Sequence, residues 1–569
     1  MLNRFLLAAA VAIAACNAQA ANEKNIDLTV LGTYETNVFD EGAAEIVAHD
    51  PATQRLFVIN ANAKSVDILN IFDPTNPTSF GAIDVSASLP DAGGVNSVAV
   101  KNGIVAVAVE NKDKQANGWA AFYDTDGNYL GQAPAGALPD AVTFTPNGAY
   151  ALLANEGEPS DDYQVDPEGS VTIVDLRAGV AAATARQATF TDFNDMDPLP
   201  EGLRAPRPFG ATLAQDLEPE YIATSFDSKT AWVSLQENNG VVVVDIPAAT
   251  VTALVGLGSK DHSADGNGLD ASDKDGEANI ANWPVKGLYM PDSIFAYRSK
   301  GKTYLVTANE GDGREYGYEI DKDATEQDLA DCEALIAQED GFNAGEANLD
   351  GGELECVVYL DEIRVEDMDL DDSAFDDAET LQQKVNLGRL KAVGTEGDDD
   401  NDGYWEKIYS YGARSITIWD TAGNLVFDTG DIIEQKTKGL LPDDFNSTND
   451  ENNSFDSRSD DKGPEPETAI VGKAFGRQYA FVGLERIGGI MIFDVTDPAN
   501  TRYVNYVNNR DFSAENNEDD ENLAGVDAGD LGPEGLFYIK AEDSPIGEPL
   551  LVVGNEISGS TTIYKVIQD

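Results

Sequence analysis

The chain has 569 residues, which is enough for several domains or for one large array of repeats. It carries 102 acidic against 37 basic side chains, a formal net charge of −65, which excludes nucleic acid as a natural partner and favours cations. Hydrophobic residues form 42% of the chain, enough for a sizeable core, and a total of two histidines argues against a histidine-rich zinc site or a serine–histidine–aspartate triad.

Residues 1–20 have the pattern of an export signal. Arg4 precedes an apolar run from Phe5 to Ala15, and Ala18-Gln19-Ala20 offers an A-x-A cleavage site. A second interpretation stays open, because Ile13-Ala14-Ala15-Cys16 is also typical of a lipobox in which Cys16 carries a lipid. The pattern predicts a secreted or periplasmic protein, with an outer-membrane lipoprotein as the alternative. No later stretch of the sequence is long and apolar enough to predict a transmembrane segment.

Residues 21–569 are predicted to form a single all-β domain. Short runs of β-branched and aromatic residues, separated by Gly, Asn, Asp and Pro, predict strands throughout. Seven segments share a small or polar residue, then strand-forming residues and usually Asp: Ser65–Ile71, Gly118–Asp124, Gly169–Asp175, Gly240–Ile246, Arg414–Asp420, Gly488–Asp494 and Gly559–Lys565. Two further predicted strands precede each of them. Repeated four-stranded units of this kind predict a seven-bladed β-propeller with acidic loop insertions.

The first predicted strand suggests how the ring closes. The last unit contains three strands, and the strand-like segment Ile26–Tyr34 is predicted to supply its fourth strand, which would remove an exposed sheet edge. The largest insertion, about residues 312–413, lies within the fifth unit. It contains Cys332 and Cys356, which are predicted to pair as a structural disulfide in an oxidising compartment. Two free thiols are the alternative.

Acidic residues recur at two positions of nearly every unit. The first strand opens at Glu45, Asn96, Asp140, Glu220, Asp292, Glu467 and Glu534, and the second strand ends at Asn60, Glu110, Glu156, Glu237, Glu310, Glu485 and Glu556. In a propeller both positions lie on one face, around the mouth of the central channel.

Carboxylates crowded in this way disfavour joint ionisation and suggest a bound cation. Hard oxygen ligands in this number suit Ca²⁺ best, with Mg²⁺ or another divalent cation as the alternative. The predicted metal ligands are Glu45, Asp140, Glu220, Asp292, Glu310, Glu467, Glu485, Glu534 and Glu556. The alternative is that these acids accept hydrogen bonds from backbone amides at strand ends.

Two loops resemble calcium loops. Residues 398–403 read D-x-D-x-D-G, which makes Asp398, Asp400 and Asp402 candidate ligands. The EF-hand spacing places Tyr409 where Glu is needed, and Glu406 is the candidate substitute. Residues 270–277 form the second such loop. Plain solvated loops are the alternative for both.

Basic residues stand beside the acidic positions. The candidates for a functional role are Arg314, Arg458 and Arg486, and Arg414 and Lys462 occupy similar places. Arginine binds a phosphate or a carboxylate through two N–H groups. These side chains therefore either bind a phosphate group or neutralise the surrounding acids, and the sequence leaves both interpretations open.

Several longer strings resemble a known family. They are Thr303–Asp312, Gly412–Ser415, Phe455–Glu467, Gly483–Gly489, Leu531–Leu536 and Val553–Glu556. Together they resemble the choice-of-anchor I family of bacterial extracellular proteins, whose animal relatives are mesenchyme-specific cell-surface glycoproteins, over about residues 27–567. Members are often labelled alkaline phosphatase, so the resemblance implies an extracellular protein and suggests phosphate-ester hydrolysis.

Functions of different classes remain open at this point. The first is a secreted calcium-binding propeller that hydrolyses phosphate esters by metal-ion catalysis, with Arg314, Arg458 and Arg486 stabilising the developing charge. The second is a non-catalytic extracellular calcium-binding scaffold or adhesion module. A lactonase-like hydrolase is a weaker third. The fold cannot decide among them, because propellers host all of these roles.

Overall fold

The computed structural model describes residues 25–320, 332, 334–335, 347–350, 353–517 and 522–568. The predicted export signal and Cys16 lie outside these residues. Within the described ranges, no helix has both the length and the apolar character needed to cross a membrane. Strands dominate the chain, and the prediction of an all-β fold is confirmed.

The chain begins with one separate strand and continues with four antiparallel sheets of four strands each. The first strand is β1 (Ile26–Glu35). Sheet 1 contains β2 (Val47–Asp50), β3 (Arg55–Asn60), β4 (Ser65–Asn70) and β5 (Thr78–Asp84), and sheet 2 contains β6 (Ala92–Lys101), β7 (Ile104–Asn111), β8 (Asn117–Asp124) and β9 (Tyr129–Ala137). Sheet 3 contains β10 (Pro139–Phe144), β11 (Tyr150–Asn155), β12 (Ser170–Asp175) and β13 (Thr184–Thr189), and sheet 4 contains β14 (Ile222–Thr224), β15 (Thr230–Leu235), β16 (Gly240–Asp245) and β17 (Thr250–Gly256).

The middle of the chain carries the insertions. Its strands in order are β18 (Ser259–Asp261), β19 (Val285–Leu288), β20 (Ile294–Ser299), β21 (Lys302–Asn309), β22 (Glu315–Ile320), β23 (Ala347–Asp350), β24 (Glu353–Leu360), β25 (Glu362–Arg364), β26 (Lys391–Val393), β27 (Ile408–Ser410), β28 (Ser415–Asp420) and β29 (Leu425–Asp428). Sheet 5 has the order β20-β21-β28-β29, so β22–β27 are inserted between its second and third strands. The inserted strands form a β22-β24-β23 sheet and, with the preceding strands, a β18-β19-β27-β26-β25 sheet. Cys332 and Cys356 are joined by a disulfide in this insertion.

The last part of the chain forms two more sheets. Sheet 6 contains β30 (Pro466–Ala474), β31 (Arg477–Leu484), β32 (Ile490–Asp494) and β33 (Arg502–Val507). Sheet 7 contains β34 (Pro533–Ile539), β35 (Leu550–Asn555) and β36 (Ser560–Gln568), and β1 pairs antiparallel with β36 as its fourth strand. The described α-helices are α1 (Leu213–Asp216), α2 (Ala378–Leu381) and α3 (Ile432–Leu440), and short 3₁₀ turns occupy Val85–Ala87, Val180–Ala182, Thr191–Phe193, Pro208–Gly210, Val365–Asp367 and Pro498–Asn500.

The middle strands of the seven four-stranded sheets are mostly buried on both faces. Every residue of β11 is buried, whereas most residues of the fourth strands β5 and β13 are exposed or half-buried. This gradient is expected when sheets stack face to face and the fourth strand lies at the rim. The third strands β4, β8, β12, β16, β28, β32 and β36 begin within two residues of the seven predicted segments.

Neighbouring sheets pack through apolar side chains. Phe57 of sheet 1 and Tyr123 of sheet 2 share one buried cluster. Sheet 7 packs on sheet 1 in the same way, with Leu56 and Val58 in one cluster with Val552. Each sheet is thus covered by the next, and the arrangement is β-propeller-like.

The strand β1 offers a test of how much the packing of sheet 7 contributes to stability. Leu28 is 5% exposed in a cluster with Tyr564 and Val566, whereas Val30 on the same strand is 40% exposed. Leu28→Ala is expected to lower the free energy of unfolding by about 2–5 kcal/mol, because it removes buried methyl groups and leaves a cavity. Val30→Ala is the control and is expected to change it by less than about 1 kcal/mol. Urea denaturation measures the free energy of unfolding of both variants. Equal small decreases would show that the packing of β1 contributes little to stability.

Candidate functional site

Carboxylates from different sheets converge at the ends of the first and second strands. Burial raises the pKa of Tyr221, and Asp292, Glu534, Asp140 and Glu467 raise it further. Those four acids stand at the starts of the first strands of sheets 5, 7, 3 and 6. The phenol of Tyr221 is therefore near acidic side chains from four different sheets. The other predicted acids join them: Glu45 interacts with Glu556 and Asp140, and Glu310 and Glu485 interact with Asp292.

Short polar side chains hold the first strands in this arrangement. Ser234 Oγ donates a hydrogen bond to the carbonyl oxygen of Asp292 at 2.9 Å, and Ser293 Oγ donates to that of Glu467 at 3.0 Å. Asn96, at the acidic position of sheet 2, donates to the carbonyl oxygen of Pro139 at 3.0 Å. Each bond links one sheet to the next, which fixes the spacing of the acids.

One part of this face is almost purely acidic. We call it the acidic cluster, and its members are Asp140, Glu156, Glu158, Glu218, Glu220 and Glu237. Burial raises the pKa of each of these carboxyls, and for Glu156, Glu158 and Glu220 neighbouring carboxylates raise it further. Arg314 pairs with Glu218 at 2.9 Å and with Asp216 at 3.0 Å. This one guanidinium leaves most of the acidic cluster uncompensated.

Glu220 and Glu237 form the core of the acidic cluster. Glu220 is 8% exposed, and the Oε2 atoms of both residues are buried and accept no hydrogen bond from a described donor. The two carboxyls lie close enough to share a proton, and burial followed by Glu237 and Asp292 raises the pKa of Glu220. A pair of buried oxygens that shares one proton can equally share one cation.

A second part of the face combines acids with basic side chains. We call it the mixed cluster: Glu310, Glu465 and Glu485 with Arg458, Lys462 and Arg486. Arg458 contacts Glu465 at 2.8 Å, Arg486 contacts it at 3.0 Å and Lys462 contacts it at 3.4 Å. Burial raises the pKa of Glu465, but Lys462, Arg458 and Arg486 outweigh burial and lower it to about 2. Glu465 therefore stays ionised as the centre of a neutralised network.

The three candidate arginines have different surroundings. The side chain of Arg314 is 1% exposed and held by two carboxylates, so it neutralises buried acids. Arg458 and Arg486 also bind a carboxylate, but about a quarter of each side chain is exposed. A phosphate group could reach these two and not Arg314.

The loop at residues 398–406 forms a separate acidic group. One carboxylate oxygen from each of Asp398, Asp400, Asp402 and Glu406 lies within 4.8 Å of the others. The carboxylate of Asp398 accepts hydrogen bonds from the amides of Asp402 at 3.1 Å and Gly403 at 2.8 Å. Backbone amides of the loop thus hold Asp398 among the other acids. Glu406, the predicted substitute ligand, lies with the three predicted aspartates.

Sequence reasoning does not select Glu218 and Glu465, although the sequence contains a signal for both. Each stands two residues before a predicted acid in a Glu-Pro-Glu string, at residues 218–220 and 465–467. In both strings the additional glutamate binds arginine, Arg314 in the first and Arg458 and Arg486 in the second. The Glu-Pro-Glu string therefore occurs at two places on the acidic face where a glutamate pairs with arginine.

The family model of the choice-of-anchor I domain matches residues 45–498. The chain belongs to the choice-of-anchor I family. It is 31% identical over 196 residues to gigasin-3a of Magallana gigas, a match that covers 33% of this chain and 67% of that protein. It is 27% identical over 313 residues to the mesenchyme-specific cell surface glycoprotein of Strongylocentrotus purpuratus, covering 51% of this chain and 36% of that one. This choice-of-anchor I protein therefore matches about a third of the length of the second relative.

Two solved structures align with most of this choice-of-anchor I protein at low sequence identity. Hydrazine synthase of Kuenenia stuttgartiensis aligns with a TM-score of 0.41 and 11% identity, over 92% of this chain and 96% of that chain. Streptogramin B lyase aligns with a TM-score of 0.41 and 10% identity, over 96% of this chain and 98% of that chain.

The raised pKa values predict how stability depends on pH. Burial is the main cause that raises the pKa of Asp140 to about 7, and of Glu45 and Glu485 to about 8. The folded state therefore binds more protons than the unfolded state above pH 4.5, so the free energy of unfolding falls as pH rises towards 8. Each such carboxyl contributes a slope of up to about 1.4 kcal/mol per pH unit.

Chemical denaturation in a chelator at pH 5.5, 7.0 and 8.5 measures this dependence. Repeating the series in concentrated salt is the control, because salt screens repulsion between surface charges far more than between buried ones. Stability that increases from pH 5.5 to 8.5 would contradict the assignment of buried, uncompensated acids.

Proposed function

We propose that this choice-of-anchor I protein is a seven-bladed β-propeller that binds Ca²⁺ on its acidic face and acts outside the cell as a non-catalytic scaffold or adhesion module. The observation that carries the proposal is the buried carboxyl pair Glu220 and Glu237, whose Oε2 atoms have no described donor. Burying two carboxylates side by side is costly unless they share a proton or bind a cation, and a hard cation is the natural counterpart of both when they are ionised.

The proposed architecture is a closed ring in which the seven four-stranded sheets are the blades. Its support is that each sheet packs on its neighbour and that sheet 7 packs on sheet 1. β1 then completes the last blade by pairing with β36, so that strands from both ends of the described chain share one blade. Closure of this kind ties the first described strand to the last three within one sheet.

The residues that would hold the cation lie in the acidic cluster. Glu220 and Glu237 supply the uncompensated oxygens, and Glu156 and Asp292 are the acids whose charges most affect Glu220 after Glu237. All four offer carboxylate oxygens, which are not all within 4.8 Å of one another in the described chain and would close around the ion, because Ca²⁺ binds in flexible geometry. Mg²⁺ is the alternative, although it demands a stricter octahedral arrangement. The mixed cluster has its own basic side chains and does not need a metal for charge balance.

The loop around Asp398, Asp400, Asp402 and Glu406 is proposed as a separate structural calcium site. Its four oxygens lie within 4.8 Å of one another, and its backbone amides already fix Asp398. A Ca²⁺ ion there would stabilise the insertion without taking part in chemistry.

Three observations support an extracellular location. The predicted export signal precedes residue 21, and a disulfide between Cys332 and Cys356 is typical of oxidising compartments. One relative is named a cell surface glycoprotein. A lipid on Cys16 remains the alternative to free secretion.

Calcium titration of matched variants tests the proposed site. In Glu220→Gln and Glu237→Gln the buried oxygens remain but the charge is lost, so each is expected to fold and to bind Ca²⁺ at least about tenfold more weakly by calorimetry. Glu110→Gln is the control, because Glu110 occupies the position of Glu237 in sheet 2, whose other acidic position holds Asn96, and it lies near Lys114 and Lys64. Unchanged calcium affinity in both site variants would remove the acidic cluster as a metal site.

A second candidate function is metal-dependent hydrolysis of phosphate esters. The observation in its favour is the mixed cluster, which places the partly exposed Arg458 and Arg486 beside the acidic cluster. A bound divalent cation would supply charge neutralisation for a phosphate group. Arg458 and Arg486 would orient the phosphate through charge-assisted hydrogen bonds, while Arg314 would remain a structural partner of Glu218.

Turnover of a generic phosphomonoester, with Ca²⁺ and after chelation, tests this candidate. An enzyme is expected to lose turnover on chelation and recover it with Ca²⁺, and Arg486→Ala is expected to lower kcat/KM at least about tenfold. Arg177→Ala is the control, because Arg177 is largely exposed and pairs with Asp175 at the outer end of β12. If the wild-type protein has no turnover while it binds Ca²⁺, the scaffold function stands alone.

A further inference from the structure

A further group of buried oxygen atoms lies where the segment at residues 270–277 meets the segment at residues 445–459. Asp275 Oδ2, Asn446 Oδ1 and Asp456 Oδ2 are buried and accept no hydrogen bond from a described donor. Asp456 is 3% exposed and Asn446 is fully buried. These acceptors are all oxygens and belong to residues distant in sequence.

Arg414 ties the two segments together. It donates hydrogen bonds to the carbonyl oxygens of Asp270 at 2.6 Å and Ser459 at 2.8 Å, and it pairs with Glu434 at 2.8 Å. All of these groups are buried. The guanidinium is thus occupied by its neighbours, while it fixes the backbone of Asp270 beside that of Ser459.

The orientation of Asn446 is set by its amide nitrogen. Asn446 Nδ2 donates to Glu434 Oε1 at 3.1 Å and to Ser459 Oγ at 2.9 Å. Ser459 Oγ in turn donates to Asp456 Oδ1 at 2.6 Å. Asn446 and Asp456 therefore meet at one hydroxyl group, and each keeps one oxygen without a donor.

The negative charge of this group has no basic partner. Among the described residues, no lysine or arginine forms an ion pair with Asp270, Asp275 or Asp456, since Lys274 and Arg389 pair with Asp273. Burial is the main cause that raises the pKa of Asp456 to about 8, and the charges of Asp270 and Asp275 contribute to the rise. Burial also raises the pKa of Asp270 to about 7, so the acids resist joint ionisation in the absence of a cation.

We propose that Asp270, Asp275, Asn446 and Asp456 form a third divalent-cation site, separate from the acidic cluster and from the loop at residues 398–406. The ligands are carboxylate and amide oxygens, which points to Ca²⁺. The site joins the calcium-like loop 270–277 to the segment that leads into β30. Its role is to fasten these two insertions to each other.

Binding requires a small movement of the loop. In the described chain, the sets of three or more acidic side chains with oxygens within 4.8 Å of one another are the 398–406 loop and the mixed cluster, so the acids of the third site are further apart. Lys274, Gly276 and Glu277 around Asp275 are exposed, whereas Asp270 and Asp456 are buried. The cation therefore draws Asp275 inward onto Asp270 and Asp456.

Asp456→Asn is the decisive variant. Asn keeps the acceptor for Ser459 and tolerates the positive φ of 68° at this position, so the variant is expected to fold and, without Ca²⁺, to be at least as stable as the wild type. With Ca²⁺ it is expected to bind one ion fewer per chain by equilibrium dialysis. Asp443→Asn is the control, because it removes the same charge from an exposed position of the same segment.

Amide hydrogen exchange shows whether the Ca²⁺ ion lost in Asp456→Asn was bound at the third site. Ca²⁺ is expected to slow amide exchange at residues 270–277 in the wild type and in Asp443→Asn, and not in Asp456→Asn or Asp275→Asn. Unchanged stoichiometry and exchange in Asp456→Asn would overturn the site, and Asp456 would then be a neutral carboxyl that donates its proton to Asn446. This outcome is independent of the calcium affinity of Glu220 and Glu237, so the third site and the proposed function fail or succeed separately.

Discussion

The structure depends on how carboxylates are kept inside it. Acidic side chains outnumber basic ones by 102 to 37, and the strand ends direct many of them towards one another. A buried carboxylate must be protonated, paired with a basic side chain or bound to a cation. The mixed cluster uses basic side chains, with Glu465 surrounded by Arg458, Lys462 and Arg486. The acidic cluster has Arg314 for Glu218 and leaves Glu220 and Glu237 to a proton or a metal.

The sheet arrangement turns a local pattern into a site. Each first strand begins, and each second strand ends, near the same region, so one acidic position per strand end produces a crowded face. The hydroxyl groups of Ser234 and Ser293 link neighbouring sheets through the carbonyl oxygens of Asp292 and Glu467. The packing of apolar side chains between sheets holds this spacing, because close-packed interiors do not deform continuously. The concentration of negative charge on this face therefore arises from the packing of several sheets, and no single sheet produces it.

Much of this organisation could be predicted from the sequence. The strand positions could be predicted because the third strands repeat a similar string of residues. The pairing of β1 could be predicted because Ile26–Tyr34 is a strand-like segment outside the repeats. The roles of the arginines could not be predicted from the sequence, because an arginine that follows an acid in the chain can direct its guanidinium elsewhere. Arg314 reaches Glu218, 96 positions away. The nearness of Asp456 to the 270–277 loop likewise depends on tertiary packing, with Arg414 bonded to the backbone of both Asp270 and Ser459.

The pairing of β1 with β36 has a consequence for the order in which the molecule is assembled. Thr33 and Thr562 share a hydrogen bond across 529 positions of sequence. A ribosome must therefore finish β36 before β1 can find its partner, and the loop-closure entropy of that contact is among the largest in the chain. Sheets 1 to 6 can form one after another as their strands emerge, whereas sheet 7 needs β34–β36 before β1 can pair. A prematurely terminated chain would expose an unpaired β1 and the uncovered apolar face of sheet 1, both of which favour aggregation.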